Sequence, residues 1–168
     1  MILDVAVDAD PEWDSKIGWA ELAEAAAEAA IAESRFPNLA AGPRAIELSV
    51  RLSENDEVRA LNAEWRGKDK PTNVLSFPLA SEAELSAASD DGPELMLGDI
   101  VLARGVCADE AAEKAISIDQ HAAHLMVHGT LHLLGYDHHD DEGAADMEAR
   151  ETRALARLGI ADPYREDR

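Results

Sequence analysis

One cysteine in 168 residues, Cys107, leaves no partner for an intramolecular disulfide and fits a reducing compartment. Its place ahead of a run of helix formers marks it as a small core residue rather than a reactive thiol. Basic residues are scarce as well: 15 Lys and Arg stand against 35 Asp and Glu, a formal charge of −20. Affinity for phosphate comes from Lys and Arg, so the bulk composition counts against an extended nucleic-acid surface. Long apolar runs are missing; the most apolar stretches are alanine-rich and interrupted by Glu24 and Glu28, far short of a membrane span. The opening MILDVAVDADPEW lacks the basic region of a signal peptide and carries Asp4, Asp8 and Asp10 instead. The expectation is a cytoplasmic protein that does not engage a membrane. With no internal repeat, no long linker and 46% hydrophobic residues, the chain reads as a single domain over 1–168.

The charge is unevenly spread. From Ala40 to Ala80 there are six basic and six acidic residues, so the whole of the −20 lies outside this segment. An anionic ligand is therefore to be sought there.

Leu3, Val5 and Val7 alternate with polar or small residues and predict a half-buried strand. A helix follows, with Trp19, Leu22, Ala23, Ala26 and Ala30 on one stripe. Ile46, Leu48, Val50 and Leu52 give the clearest strand, and Ser53 with Asp56 resembles a capping box. The helix it opens places Val58, Leu61 and Trp65 on one face and stops at Gly67. A short strand at Val74–Phe77 follows, and the Ser-, Ala-, Asp- and Glu-rich stretch within 79–94 reads as a mobile loop. Leu95–Leu102 is an apolar strand carrying Asp99, either an orienting partner for a ligand histidine or a satisfied buried carboxylate. Three helices complete the chain, near Arg104–Ala115, from Ser117 (with Gln120 as its box partner) to Gly135, and from Asp141 to Leu158. Early strands and late helices predict an α+β fold, a small mixed β-sheet packed with about five helices.

The decisive stretch is His128-Gly129-Thr130-Leu131-His132-Leu133-Leu134-Gly135-Tyr136-Asp137-His138. Histidines four apart on a helix share one face and can share one metal ion. Gly135 can end the helix in a left-handed cap, and the returning chain then brings His138 to the same ion. Three imidazoles with a fourth position open to water are the arrangement of a catalytic zinc site, one Zn2+ per chain. His121 and His124 lie on the same stripe, but ligands spread over a straight helix cannot converge on one ion. They are expected to pack or to support the ligands. His139 is a possible substitute for His138, which the turn geometry favours. Asp137, Asp140 and Glu142 are expected to cap the last helix. The spacing HxxxHxxGxxH is that of metzincin peptidases, but Gly129 stands where their general-base glutamate belongs.

A second constellation is Trp65-Arg66-Gly67-Lys68-Asp69-Lys70-Pro71-Thr72-Asn73, with three cations within five residues at a helix end. Such a turn is as often solvated as functional; beside a hydrolytic metal, phosphate binding by Arg66, Lys68 and Lys70 is the better reading.

Together these stretches resemble the YbeY family of bacterial rRNA-maturation endoribonucleases. Arg66 to Pro78, Leu97-Gly98-Asp99-Ile100, His128 to His138 and Asp162-Pro163-Tyr164 carry the resemblance, which runs from about Leu48 onward. It implies a zincin-like fold, one zinc on His128, His132 and His138, cleavage of single-stranded RNA, and work in 16S rRNA 3′-end maturation and ribosome quality control. It further points to Arg66 as a catalytic or RNA-contacting arginine. A metallopeptidase and a non-enzymatic metal-binding assembly protein are the competing classes. The high acidity adds one more expectation: docking of the acidic first and last helices on basic proteins of the small ribosomal subunit, with the neutral segment meeting rRNA.

Overall fold

The alternation at Ala45–Ser53 (β2) places Ile46, Leu48, Val50 and Leu52 in the core, and β2 accordingly lies inside the sheet. The computed structural model describes residues 2–87 and 92–165. Ile2–Ala9 (β1) pairs with β2 in parallel, as does Leu95–Ala103 (β4) on its other side. Val74–Pro78 (β3) runs antiparallel to β4 at the far edge, so the order is β1-β2-β4-β3. Parallel neighbours need crossovers. Trp19–Ala32 (α1) and Pro37–Ala41 (α2) make the first; Asn55–Arg66 (α3), β3 and Glu82–Ser86 (α4) make the second. Arg104–Glu113 (α5), Ile118–Leu133 (α6) and Asp141–Arg157 (α7) follow. The fold is thus α+β with a four-stranded mixed sheet.

The larger core lies on the face where Val50 pairs with Ile100 and Leu52 with Leu102, under α1 and α6. α6 is buried almost all round, and the Ser117–Gln120 capping box opens it as its sequence predicts. On the other face Val58 of α3 packs on Leu75, Val101 and Ala103. Among the described residues no helix is long and apolar enough to cross a membrane.

Four local expectations need correction. There are seven helices among the described residues rather than about five, because α2 and α4 are single short turns. α4 lies inside the 79–94 stretch, opened by a capping box of Ser81 with Glu84 and anchored by buried Leu85; residues 88–91 lie outside the described residues. Ser53 caps nothing: it is buried at the end of β2, and the cap position of α3 is Glu54, whose side chain makes no capping bond. Trp65 is not on the buried face of α3 with Val58; it is 60% exposed.

Gly98 sets the spacing of β3 against β4. Its φ is +143°, and a Cβ there would stand 2.3 Å from the Phe77 carbonyl oxygen. Backbone cannot yield as a flexible side chain can, so Gly98→Ala should cost roughly 3 kcal/mol or more, combining strain with overpacking. Urea denaturation measures this; a variant of wild-type stability would contradict the close approach.

Candidate metal centre

α6 delivers His128 and His132 from successive turns. The helix then ends at Leu133, Gly135 takes φ +94°, and the Tyr136 N–H closes on the Leu131 carbonyl at 3.1 Å. That reversal returns His138 to the two helical histidines, with ring centroids 5.7 Å from His128 and 5.3 Å from His132. One donor atom from each of the three lies within 4.8 Å of the others, whereas His139 is not in this cluster.

The tautomers follow from the partners. His132 Nδ1–H donates to the Tyr136 carbonyl at 2.7 Å, and His128 Nδ1–H donates to Glu151. Each ring then presents Nε2 as a bare lone pair, and the two Nε2 atoms face each other at 3.0 Å. With both protons on Nδ1 there is none to share between them, so the pair needs a cation. Two nitrogens bound tetrahedrally at zinc distances are separated by roughly 3.3 Å, close to this spacing. Burial, helped by neighbouring His128, lowers the His132 pKa to about 4, which keeps its lone pair available at neutral pH. The donor set fits a metal.

Glu151 is the residue that reading by motif missed. Its side chain is 1% exposed. Burial works to raise its pKa, but His124 and His128 beside it outweigh that and pull it down to about 2. The carboxylate also accepts from Tyr164 Oη–H, while His124 Nε2 sits 3.2 Å from that hydroxyl oxygen and 3.7 Å from Glu151. Burial and Glu151 push the Tyr164 pKa upward, so the hydroxyl keeps its proton. A legible signal existed: Glu151 falls on the buried stripe of Met147, Ala154 and Leu155, where a charge needs partners.

Carboxylate–histidine pairs of this kind fix the ligand tautomer and raise its basicity. In Glu151→Gln the amide oxygen still accepts from His128 and the Tyr164 hydroxyl can turn to accept, so folding should persist. Zinc affinity should fall about 10- to 100-fold, as measured by chelator competition. An unchanged affinity would make Glu151 a packing residue.

His121 and His124 stand outside the three-histidine cluster, as the helix geometry requires. His121 Nε2 lies 2.9 Å from Glu110, which also accepts from Asn73 Nδ2 at 3.0 Å. Asp99, half-buried on β4, accepts from the Ser49 hydroxyl of neighbouring β2. Asp140 caps α7 by accepting from the Gly143 N–H at 2.6 Å.

The cationic turn faces the same space. A cleft of about 1010 Å³ is lined by Arg66, Lys68, Lys70 and Asn73 together with His128, His132, His138 and Glu151. The turn has a defined shape: Gly67 adopts φ +70°, the Lys68 N–H reaches the Asn62 carbonyl, and Asn62 Nδ2 holds the Lys70 carbonyl at 2.8 Å. Arg59 grips Asp69 through two hydrogen bonds at 2.8 and 3.2 Å, which offsets the one carboxylate within the turn. Arg66 lays its guanidinium over the Phe77 ring at 5.5 Å and donates from Nη2 to the Ser76 carbonyl at 3.0 Å.

The profile of the family described as "Endoribonuclease YbeY" matches residues 10–159. A protein of that name from Novosphingobium aromaticivorans is 54% identical over 160 residues, covering 94% of this chain and 93% of its own. One from Rhizorhabdus wittichii is 51% identical over 165 residues, covering 97% of each. A solution structure of a Thermotoga maritima protein superposes with a TM-score of 0.52 at 22% identity, covering 97% of this chain and 98% of the other, and supports the fold. A profile spanning most of the chain, and relatives above half identity across nearly all of it, place this protein in the YbeY family.

Proposed function

We propose that this chain is a zinc-dependent endoribonuclease that cleaves single-stranded RNA, acting in 16S rRNA 3′-end maturation and ribosome quality control in the cytoplasm. The observation that carries the reading is one cleft lined by both a three-histidine cluster and Arg66, Lys68 and Lys70. His128, His132 and His138 would hold the ion, which when bound supplies an activated water or polarises a phosphoryl oxygen. Glu151 and the Tyr136 carbonyl orient two of those imidazoles. Arg66, with Lys68 or Lys70, binds the phosphate and offsets the charge that develops on it. The names of the relatives supply the reaction class.

Two features weigh against a peptidase. Position 129 faces the sheet, where a Cβ would stand 2.9 Å from Ile100 Cγ2, so no general-base side chain fits there. The outer edge of β3 is also poorly suited to adding a peptide strand. The Val74 N–H is taken by Asn73 Oδ1, the Ser76 carbonyl by Arg66, and Pro78 has no N–H to give.

The test offers the zinc-loaded protein single-stranded RNA, duplex RNA and a peptide library. Single-stranded RNA should be cut internally, chelation should stop this and zinc restore it, and peptides should remain intact. Zinc-dependent peptide turnover lost in His128→Ala would reverse the assignment, and absence of RNA turnover at every metal condition would favour a non-enzymatic assembly role. The acidic remainder of the chain repels long naked RNA, so small-subunit particles should be the better substrate at equal salt.

A further inference from the structure

Trp65 is the anomaly of the outer surface. The other two tryptophans, Trp13 and Trp19, are core residues at 2% and 6% exposure, packed edge-on against each other. Trp65 lies in the last turn of α3 and is 60% exposed. It meets Phe77 edge-on at 6.4 Å, and the same Phe77 ring carries the Arg66 guanidinium. Leu79, just past the end of β3, is exposed as well at 61%. An aromatic surface of this size in water is costly to maintain and calls for a partner.

We infer that Trp65 is a stacking platform for an unpaired nucleobase of the RNA strand leaving the cleft past Arg66. The inference rests on the endoribonuclease reading above. Charge complementarity selects this occupant: Phe77 joins Trp65 to Arg66, and Arg66 lines the cleft with Lys68 and Lys70, cations in the one neutral segment of a strongly acidic chain. A strand whose phosphates lie on those cations carries its bases alongside, and an indole offers every base a π-face whatever its identity. A duplex keeps its bases stacked on each other, so the platform also contributes to a preference for single strands. Phe77 buttresses the indole, and its own position is fixed by pairing with Asp99 in the sheet.

The test uses zinc-loaded protein and a short single-stranded oligoribonucleotide, with the same ribose-phosphate chain lacking bases as a control. The buried tryptophans are out of reach, so fluorescence quenching reports Trp65. The oligoribonucleotide should quench on mixing and the base-free chain should not, and the quench should vanish in Trp65→Phe. Trp65→Ala should raise KM about tenfold with kcat little changed, the loss expected for one stacked base. Trp65→Phe, which keeps a ring, should restore most of the KM. Cleavage by Trp65→Ala at wild-type KM overturns the platform while leaving the endoribonuclease reading intact. Equal quenching by the base-free chain also overturns it, as does a defect confined to ribosomal particles, which would make the patch a protein contact. If the wild-type protein neither binds nor cuts the oligoribonucleotide, both readings fall.

Discussion

Alanine at His128, His132 or His138 should abolish stoichiometric zinc binding and lower RNA cleavage on the order of 10³-fold, the scale of losing the principal electrostatic element of a hydrolytic site. The three donors lie within 4.8 Å of one another, and no fourth histidine belongs to that cluster. Each loss therefore leaves two imidazoles and no replacement. His139→Ala should keep full zinc, because its ring stands 6.3 Å from His138 and outside the cluster. His121→Ala should keep it too, although the half-buried Glu110 loses a partner and stability falls. Elemental analysis reads stoichiometry, and thermal unfolding gives an independent measure. A ligand present at 100 times its Kd stabilises by about 2.7 kcal/mol, so added zinc should raise the midpoint of the wild type and of His139→Ala but not of His132→Ala. Full zinc in purified His138→Ala would remove that residue from the site.

How far such a site is legible in the sequence depends on whether its parts are local. His128 and His132 are one helical turn apart, and Gly135 announces the reversal that returns His138, so this cluster can be read from eleven consecutive residues. Glu151 cannot be read this way, because it reaches His128 from another helix and only tertiary packing brings them together. The one local trace is a glutamate on an apolar stripe. The cationic turn shows the converse: its residues are plain in the sequence, but its proximity to the histidines comes from β3 lying at the sheet edge beside α6. The β2 strand was legible because one face is core and the other partly solvated, giving clean alternation. Trp65 misled for a related reason. Helical periodicity puts it with Val58 and Leu61, but the cluster under α3 takes in Val58 and Leu61 and not Trp65. The short α4 left a usable signal in Ser81 and Glu84, hidden within a polar stretch that otherwise resembles a loop.

Arg66→Ala should leave one zinc per chain and the unfolding midpoint nearly unchanged, yet cost roughly 2–4 kcal/mol of transition-state stabilisation, about 10²- to 10³-fold in cleavage. The side chain is exposed, and its contacts, the Ser76 carbonyl and the face of Phe77, are at the surface, so its removal disturbs little packing. Its value lies in orientation. A guanidinium carries five N–H donors, and the bond to Ser76 commits one, which fixes the plane while leaving a fork for phosphate. Arg66→Lys tests this directly. An ammonium restores the charge, but it has no second rigid arm: if it holds the Ser76 carbonyl it meets phosphate only as a point charge, and if it turns to phosphate it loses its anchor. Rescue should therefore be poor, with kcat affected more than KM, since Lys68 and Lys70 still supply attraction for the ground-state phosphate. A lysine variant cleaving at the wild-type rate would reduce Arg66 to a source of field, and an alanine variant doing so with full zinc would remove it from the reaction.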